Sequence, residues 1–138
     1  MDKFDQQIIT RLKRNARESL AAIGRDIGLS RSAVAERIQR LEERGIIRGY
    51  TLQLGEAGQR AVQAYFQLSF SPFKLDKLLP TLQAIPELHF GHALSGEVDL
   101  ILFAETDSME RINQIRRQLE QLPDLKRLLT CPVLQSVT

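Results

Sequence analysis

Polar and cationic side chains between residues 30 and 48 have types that suit contact with nucleic acid. In the major groove of DNA, an arginine can bond guanine through two hydrogen bonds, a glutamine can bond adenine, and a glutamate can accept from cytosine N4. An arginine can also contact a phosphate, which positions a protein on the duplex without reading its sequence. The candidate DNA contacts are Ser30, Arg31, Ser32, Glu36, Gln39, Arg40 and Arg48.

The spacing of apolar residues predicts that one helix carries most of these side chains. Val34, Ile38 and Leu41 recur at helical intervals and form the inward side of a helix that begins after residue 30. The candidate contacts on that helix then share its outward side. A plainer interpretation is also open, because Glu36 and Arg40 are four residues apart and can pair with each other on a solvated face.

Two more helices are predicted upstream, and together the three form a DNA-binding pattern. An apolar stripe over residues 4–12 has helical spacing. Ser19 can cap the N-terminus of a second helix and Ser30 that of the third, while Gly28 suits the left-handed backbone that ends a helix. Two helices joined by the three residues 28–30 read as a helix-turn-helix, and the amides at both capped N-termini can bind phosphate.

A short segment after the third helix predicts a hairpin. Two short extended runs, at residues 46–47 and 50–54, flank Arg48 and Gly49, which indicates a small hairpin, or wing, with Arg48 at the tip. There Arg48 could meet a phosphate or remain a solvated turn residue.

The charge of the chain is divided unevenly between its two parts. The 19 Lys and Arg against 17 Asp and Glu leave a net charge of only +2. Residues 1–55 hold 11 basic and 7 acidic residues, whereas residues 56–138 hold 8 and 10. The basic excess therefore lies in the part with the helix-turn-helix pattern and favours an anionic partner there.

Composition excludes several other classes of protein. With 138 residues, of which 43% are hydrophobic and 26% charged, the chain has an ordinary globular balance. No run of 18 apolar residues predicts a membrane span, and residues 1–10 lack the apolar region of a secretory signal. One cysteine cannot form an intramolecular disulfide, and two histidines and one cysteine at separate positions predict no metal site. We therefore expect a protein of the reducing cytoplasm.

The C-terminal part alternates between strand and helix patterns. A short polar linker is expected at residues 55–60. Beyond it the order is strand, helix, strand, strand, helix, strand, which predicts a ferredoxin-like sheet with two helices on one face and the other face bare. The predicted elements cover residues 61–71, 75–82, 88–94, 99–104, 107–122 and 128–137. With the N-terminal helices, this gives an α+β protein.

Several details of this part are also predicted. Asp76 serves as an N-cap, which places Pro80 near the tolerated first turn, and Asp107 with Glu110 begins the second helix as a capping box. Strict alternation places Leu88, Phe90, His92 and Leu94 on one face of the second strand. His89 and His92 then point to opposite faces and cannot share a metal ion. Pro132 confines the last strand to an edge, and Cys131 beside it reads as a packed thiol.

The run LSRSAVAERIQRLEERGIIRGY at residues 29–50 resembles the recognition helix and wing of the Lrp/AsnC, or feast/famine, transcriptional regulators. The opening DKFDQQIITRLKRNAR at residues 2–17 resembles the first helix of that family. One departure is Ile23–Gly24, where the family usually carries Leu–Ala; a glycine there costs helix stability but lets the third helix approach closely.

The resemblance implies an architecture and a set of partners. Residues 1–54 would form a winged helix-turn-helix, residues 55–60 a linker, and residues 61–138 the ferredoxin-like RAM domain, which oligomerises and binds an effector. In the family, bare sheet faces meet in a homodimer, and dimers assemble further, here to an expected octamer. Two recognition helices would then face a pseudo-palindromic site on double-stranded DNA. The odd-numbered residues of the first strand, Tyr65 above all, are candidates for the dimer face.

The run SGEVD at residues 95–99 resembles the family's Gly-x-x-Asp loop near the amino-acid effector site between dimers. Loop amides can meet a carboxylate, and a side-chain carboxylate can meet an α-ammonium group. A tight turn between strands is the alternative for Gly96 and Asp99. Val98 stands where the family has an aromatic residue, which implies a pocket of different shape. The candidate effector contacts are His92, Ser95, Gly96, Glu97 and Asp99.

The leading hypothesis is a sequence-specific DNA-binding transcriptional regulator that is modulated by an amino acid or a related metabolite. We expect no enzymatic activity, no cofactor and no metal, and a cytoplasmic, nucleoid-associated location. The alternatives are an architectural DNA-binding protein without an effector, a small-ligand enzyme on a ferredoxin-like scaffold, and an RNA-binding module with the same strand order. The enzyme alternative is weak because the sequence contains no recognisable catalytic arrangement. The RNA-binding alternative is weak because the third strand lacks the Lys/Arg-Gly-Phe signature of that module.

Overall fold

The computed structural model describes residues 1–58 and 62–138. The chain divides into two compact units, Met1–Gln53 and Leu54–Thr138, which we call the N-terminal unit and the C-terminal unit. Residues 59–61, which include part of the expected linker and the expected first residue of the first strand, lie outside the described residues.

Three helices form the N-terminal unit, as the apolar spacing predicted. They are α1 (Lys3–Arg14), α2 (Leu20–Ile27) and α3 (Arg31–Glu43). Ser19 caps α2 by accepting from the Ala22 amide, and Ser30 caps α3 by accepting from the Ala33 amide, each at 3.1 Å. Both predicted caps are confirmed.

One small apolar cluster holds the three helices together. Ile8 of α1, Ile23 of α2 and Val34 of α3 are completely buried and pack against one another. Five partly buried side chains close the edges of the cluster, namely Leu12, Leu20, Ile27, Leu29 and Ile38. The burial of Val34 determines which side of α3 turns outward.

The turn between α2 and α3 depends on two glycines. Gly28 has a φ of 83°, a left-handed conformation that glycine adopts without steric cost. The amides of Gly28 and Leu29 both donate to the Gly24 carbonyl, at 2.8 and 2.9 Å. A Cβ atom on Gly24 would lie 2.3 Å from the Leu29 carbonyl oxygen. The close approach expected at Gly24 therefore involves the backbone of the turn and not the body of the third helix.

Ion pairs connect α1 to the other two helices. Arg11 pairs with Glu18, which precedes α2, and with Asp26 of α2. Hydrogen bonding to Arg11 holds the pKa of the Glu18 carboxyl below its usual value.

Arg37 of α3 forms a similar group of contacts with α1. Its guanidinium lies 2.6 Å from an Asp2 oxygen, 3.2 Å from an Asp5 oxygen and 5.1 Å from the centre of the Phe4 ring, and its hydrogen bond to Asp2 lowers the pKa of that carboxyl.

The expected hairpin does not form. Gly45 follows the C-cap of α3 with a φ of 74°, and the described residues 44–55 contain no strand. A two-stranded ribbon is marginal unless one face packs on something. Ile46, Tyr50 and Leu52 are 40%, 52% and 77% exposed, so these three side chains do not pack into a core.

The C-terminal unit is a four-stranded antiparallel sheet with two helices, and its order confirms the ferredoxin-like prediction. A short 3-10 helix, Glu56–Gly58, precedes it. The sheet order is β2-β3-β1-β4, so the first and third strands lie in the centre. The elements are β1 (Val62–Phe70), α4 (Leu75–Gln83), β2 (Leu88–Ala93), β3 (Leu100–Thr106), α5 (Met109–Glu120) and β4 (Leu125–Pro132).

The core of this unit lies between one sheet face and the two helices. Ala64, Phe66 and Leu68 of β1 alternate inward as predicted and are fully buried. They pack with Leu78 of α4 and with Ile112, Ile115 and Leu119 of α5. The opposite face carries the other half of each strand, and neither α4 nor α5 covers it.

Two helix starts differ from the prediction. Lys74, not Asp76, occupies the N-cap of α4, and its side chain makes no capping bond. Pro80 therefore lies in the helix interior, where its missing N–H removes the bond to the carbonyl four residues earlier. At α5 the cap is Ser108, which accepts from the Arg111 amide at 3.2 Å, and Asp107 lies one residue before it.

A bulge changes which residues of β2 share a face. Leu88 pairs with Ala104, but Phe90 pairs with Phe103, so one extra residue, His89, is inserted between them. Leu88 consequently faces the core, whereas Phe90 and His92 lie on the uncovered face beside Phe103 and Ile101. The expected single face of Leu88, Phe90, His92 and Leu94 is wrong, and Leu94 lies beyond the strand.

The same bulge overturns the expectation for the two histidines. The His89 ring lies 6.4 Å from the Phe103 ring, and the His92 ring lies 5.6 Å from the Phe90 ring. Both histidines are therefore associated with the uncovered face. His89 Nε2 lies 3.4 Å from a carboxylate oxygen of Glu105. Across residues 1–58 and 62–138, no group of three or more metal-ligating side chains is present.

The last strand is shorter and earlier than expected. It covers Leu125–Pro132, an edge position that tolerates a proline as predicted. Cys131 is half-buried and pairs with Tyr65 on the uncovered face.

Within the described part of the chain, no helix has the length and apolar character needed to cross a membrane.

We predict that the N-terminal unit loses stability as the pH falls. Folding lowers the pKa of the Glu18 and Asp2 carboxyls. Their contribution is thus complete above the unfolded carboxyl pKa of about 4 and is lost as the pH falls through the folded values. The protection factor of the buried Ile23 amide, measured by hydrogen exchange from neutral to acidic pH, reports this loss.

Arg11→Gln removes the partner of Glu18, so the variant should show a smaller acid-dependent decrease in protection. Arg117→Gln, an exposed arginine of α5, is the matched control and should behave as the wild type. An unchanged decrease in Arg11→Gln would contradict the assignment of acid sensitivity to this ion pair.

Candidate DNA-reading surface and effector loop

The N-terminus of α3 offers polar groups to an anionic partner. Ser30 Oγ accepts from the Ala33 amide and lies 3.3 Å from the Ser32 hydroxyl. The first amides of a helix have no partner within the helix, and they point along its axis into solvent. Arg31 and Ser32 are exposed directly beside them. This end of α3 therefore combines hydrogen-bond donors with a cation, which is the chemistry that binds phosphate.

The outward face of α3 carries paired polar side chains. Arg40 forms an ion pair with Glu36, and Gln39 Nε2 donates to Glu43 at 3.1 Å. The side chains of Glu36 and Arg40 are both 63% exposed, so the pair contributes little to folding. The plainer interpretation, a pair on a solvated face, thus describes the chain without DNA, and it leaves both groups accessible to a ligand.

The structure brings six of the seven predicted DNA contacts onto one element. Ser30 caps α3, and the five that follow lie exposed along it. Arg48 is exposed as well, but it lies in the segment without strands, so it does not occupy the tip of a hairpin. Whether each residue touches DNA stays a prediction.

Sequence reasoning missed the residues that orient this surface. Arg37 is only 26% exposed and joins α3 to α1 through Asp2 and Asp5. Its position between the buried Val34 and Leu41 is a usable signal, since a cation so close to the inward stripe needs a nearby partner. Arg11, which pairs with Glu18 and Asp26, was also missed.

The candidate effector loop, residues 95–99, is attached to the end of β1 by hydrogen bonds. The Asp99 carboxylate accepts from the Phe70 amide at 2.7 Å, and the Asp99 amide donates to the Leu68 carbonyl at 2.9 Å. Ser69 Oγ donates to the Glu97 carbonyl at 2.7 Å. Gly96 has a φ of 110°, which favours glycine. The tight-turn interpretation therefore accounts for Gly96 and for one oxygen of Asp99.

The remaining candidates divide between two places. Ser95 and the side chain of Glu97 are exposed on the loop, where a carboxylate and nearby backbone groups can meet the two charges of an amino acid. His92 is exposed on the uncovered sheet face with Phe90. The structure brings Ser95, Gly96, Glu97 and Asp99 together, while His92 belongs to the surface next to them.

An apolar groove beside this loop was not foreseen. It lies between α4 and the edge strand β2, and it reaches Ala93 and Leu100, which flank residues 94–99. A Cβ on Gly91 would lie 2.6 Å from the Leu102 side chain, so a larger residue would press into the groove wall. Gly91 was the available signal, because a glycine inside a strand marks a close approach.

Comparison with known proteins covers both units. Residues 1–42 match the model of the AsnC-type helix-turn-helix domain, and residues 63–138 match that of the Lrp/AsnC ligand binding domain. The chain is 30% identical to the transcriptional regulator Ptr1 of Methanocaldococcus jannaschii, over 83% of this chain and 78% of the relative. It is 28% identical to LrpC of Bacillus subtilis, over 81% and 78% of the respective chains.

Solved structures agree with this assignment. A transcriptional regulator of Neisseria meningitidis, solved as its L-Met complex, matches with a TM-score of 0.77 and 25% identity over all of this chain and 92% of that chain. The fold expected from the sequence and the family resemblance are both confirmed. The chain belongs to the Lrp/AsnC family of DNA-binding transcriptional regulators.

Proposed function

We propose that α3 enters the major groove of double-stranded DNA and reads its sequence. The observation that carries this proposal is the exposed polar face of α3, which begins at a capped, cation-flanked N-terminus. Arg31 and the free amides after Ser30 would hold a phosphate, while Glu36, Gln39 and Arg40 would meet base edges. Ser32 and Arg48 would supply further contacts at the margins of the surface.

We propose that a second copy of the chain covers the bare sheet face. Tyr65 and Phe103 contact each other there with ring centres 4.9 Å apart, and Phe90 stacks on Phe103 at 5.0 Å. Phe90 and Leu129 remain 44% and 39% exposed. An aromatic patch of this kind gains free energy when a partner removes it from water. A two-fold dimer would present two copies of α3 to a pseudo-palindromic site, and such dimers would assemble further, to an octamer.

We propose that an amino acid or related metabolite binds at the 95–99 loop, between dimers. Glu97 would meet the α-ammonium group, and loop amides near Ser95 and Gly96 would meet the α-carboxylate. The L-Met complex of the Neisseria meningitidis regulator supports this class of ligand. Asp99 bonds the loop to β1, so a ligand on the loop would act on that strand. The side chains of β1 that point away from the core belong to the proposed dimer surface.

Regulation would follow from the geometry of the assembly. A ligand that binds one arrangement of dimers more tightly than another shifts the population towards it and changes the spacing of the DNA-reading helices. We propose that the chain acts by binding and not by catalysis, as the names of its relatives indicate, and that it works on DNA in the cytoplasm as part of the nucleoid.

Arg31→Ala tests the DNA-reading surface. The variant loses a cation beside the capped end of α3, so we expect its affinity for a duplex selected by the wild type to fall about tenfold. Arg117→Ala removes the same charge from α5 and should change the affinity less than about twofold. Fluorescence anisotropy at fixed salt measures both, and equal losses in the two variants would contradict the assignment.

Phe103→Lys tests the dimer surface. A lysine in the middle of the aromatic patch would have to be desolvated on association, so we expect self-association to weaken about thirtyfold or more. Gln118→Lys on the exposed side of α5 is the matched control. Sedimentation equilibrium measures both, with circular dichroism to verify folding. A Phe103→Lys variant that folds and self-associates as the wild type does would exclude this face.

Glu97→Ala tests the effector loop. Calorimetry of the wild-type chain with each of the common amino acids should give heat for at least one, and Glu97→Ala should weaken that binding about tenfold. Glu110→Ala, at an exposed position on α5, should leave it unchanged. If no amino acid binds and none alters DNA affinity, the effector role is excluded and an effector-independent architectural protein remains.

A further inference from the structure

The ion pair between Glu36 and Arg40 lies on the surface proposed to face a polyanion. Both side chains are 63% exposed, and an exposed pair of this type is worth little to helix stability. Its position therefore calls for an explanation other than folding. A carboxylate on a DNA-facing surface is repelled by phosphates wherever the protein lands, so Glu36 weakens binding unless the DNA supplies a donor to it.

The pair also removes Arg40 from general attraction to DNA. While Glu36 holds the guanidinium, the two charges compensate each other, and Arg40 adds little to binding at an arbitrary sequence. To contact DNA, Arg40 must leave Glu36, and the carboxylate then needs a new partner. A phosphate satisfies Arg40 alone and leaves Glu36 unpaired beside an anion, so non-specific sites cannot compensate for opening the pair.

We propose that Glu36 is a specificity-determining residue of the proposed DNA-reading surface, and that it releases Arg40 only where base pairs about two steps apart offer a cytosine amino group and a guanine edge. Cytosine N4 is a hydrogen-bond donor to Glu36, and guanine O6 and N7 are acceptors for Arg40. Residues four apart lie about 6 Å apart along a helix axis, a span of about two base-pair steps. This inference rests on the proposed DNA-reading role of α3.

The other acidic residue on this face differs from Glu36. Glu43 accepts from Gln39, which is neutral, and it is the last residue of α3. Gln39 can bond a base without leaving an uncompensated charge, so this second pair does not have the same consequence. The compensation argument applies to Glu36 and Arg40.

The C-terminal unit offers a matched control for the pair. Arg116 and Glu120 of α5 form an ion pair with the same four-residue separation, and their side chains are 35% and 42% exposed. Glu36→Gln and Glu120→Gln both remove one negative charge from an exposed helical pair. The two variants differ in location. A general effect of charge on DNA affinity should appear in both, whereas an effect on base recognition should appear only in Glu36→Gln.

The experiment selects duplexes from a random-sequence library with the full-length chain and its variants, and it measures affinity for an unselected duplex as a function of salt. For the wild type we expect a motif with a cytosine preference of about tenfold at one position in each half-site. For Glu36→Gln we expect that preference to fall below about twofold and to move towards adenine, which a glutamine can bond. Its salt slope on the unselected duplex should steepen by about 0.9, the value of one added phosphate contact.

Two further variants connect this effect to Arg40. Arg40→Ala should flatten the neighbouring guanine preference, and Glu36→Gln in the Arg40→Ala background should no longer steepen the salt slope, because no cation is left to release. Glu120→Gln should keep the wild-type motif and slope. Circular dichroism establishes that each variant remains helical.

Each outcome discriminates. If the wild type selects a motif and Glu36→Gln selects the same one, or changes the salt slope no more than Glu120→Gln does, then Glu36 belongs to an ordinary solvated face and the inference is overturned while DNA reading stands. If the wild type binds duplexes but enriches no motif, sequence-specific reading itself fails, and the role of Glu36 fails with it.

Discussion

The burial of Val34 against Ile8 and Ile23 is the contact on which the proposed DNA-reading surface depends. It determines the rotation of α3 about its own axis, and that rotation decides which polar side chains reach solvent. The contact is possible because the chain turns sharply at Gly28 while the Leu29 carbonyl lies against Gly24. A cluster of three buried side chains is small, and the ion pairs of Arg11 and Arg37 supplement it by joining α1 to its neighbours.

The C-terminal unit leaves apolar surface exposed, because α4 and α5 cover only one of the two faces of its sheet. The covered face holds a continuous apolar core around Phe66, and the uncovered face collects aromatic rings around Phe103. The bulge at His89 enlarges this second group, because it turns Phe90 and His92 away from the core. A local irregularity in an edge strand thus enlarges the aromatic patch on the face where we propose that a second copy binds.

Asp99 has a structural role in the candidate effector loop. Asp99 accepts from the Phe70 amide, so the loop and the end of β1 are held as one piece. A ligand on the exposed side of that loop would act on a part of the sheet that is already in hydrogen-bonded contact with it. The apolar groove that ends at Ala93 and Leu100 borders the same loop. It would accommodate the apolar side chain of a ligand bound at the loop.

The sequence by itself determined the helices of the N-terminal unit, their serine caps, the order of strands and helices, and the inward residues of β1, because each depends on neighbours within a few positions. It also identified most of the α3 surface, since exposure follows from helical periodicity once Val34 is known to be inward. Only the tertiary structure decided the face of Phe90 and His92, the absence of the hairpin at 46–54, the partner of Asp99 and the anchoring role of Arg37. Those features depend on strand register and on contacts between residues about 30 positions apart along the chain, as between Asp99 and Phe70. No local pattern specifies such distances, because the free energy of these contacts is realised only after the core has brought the elements together.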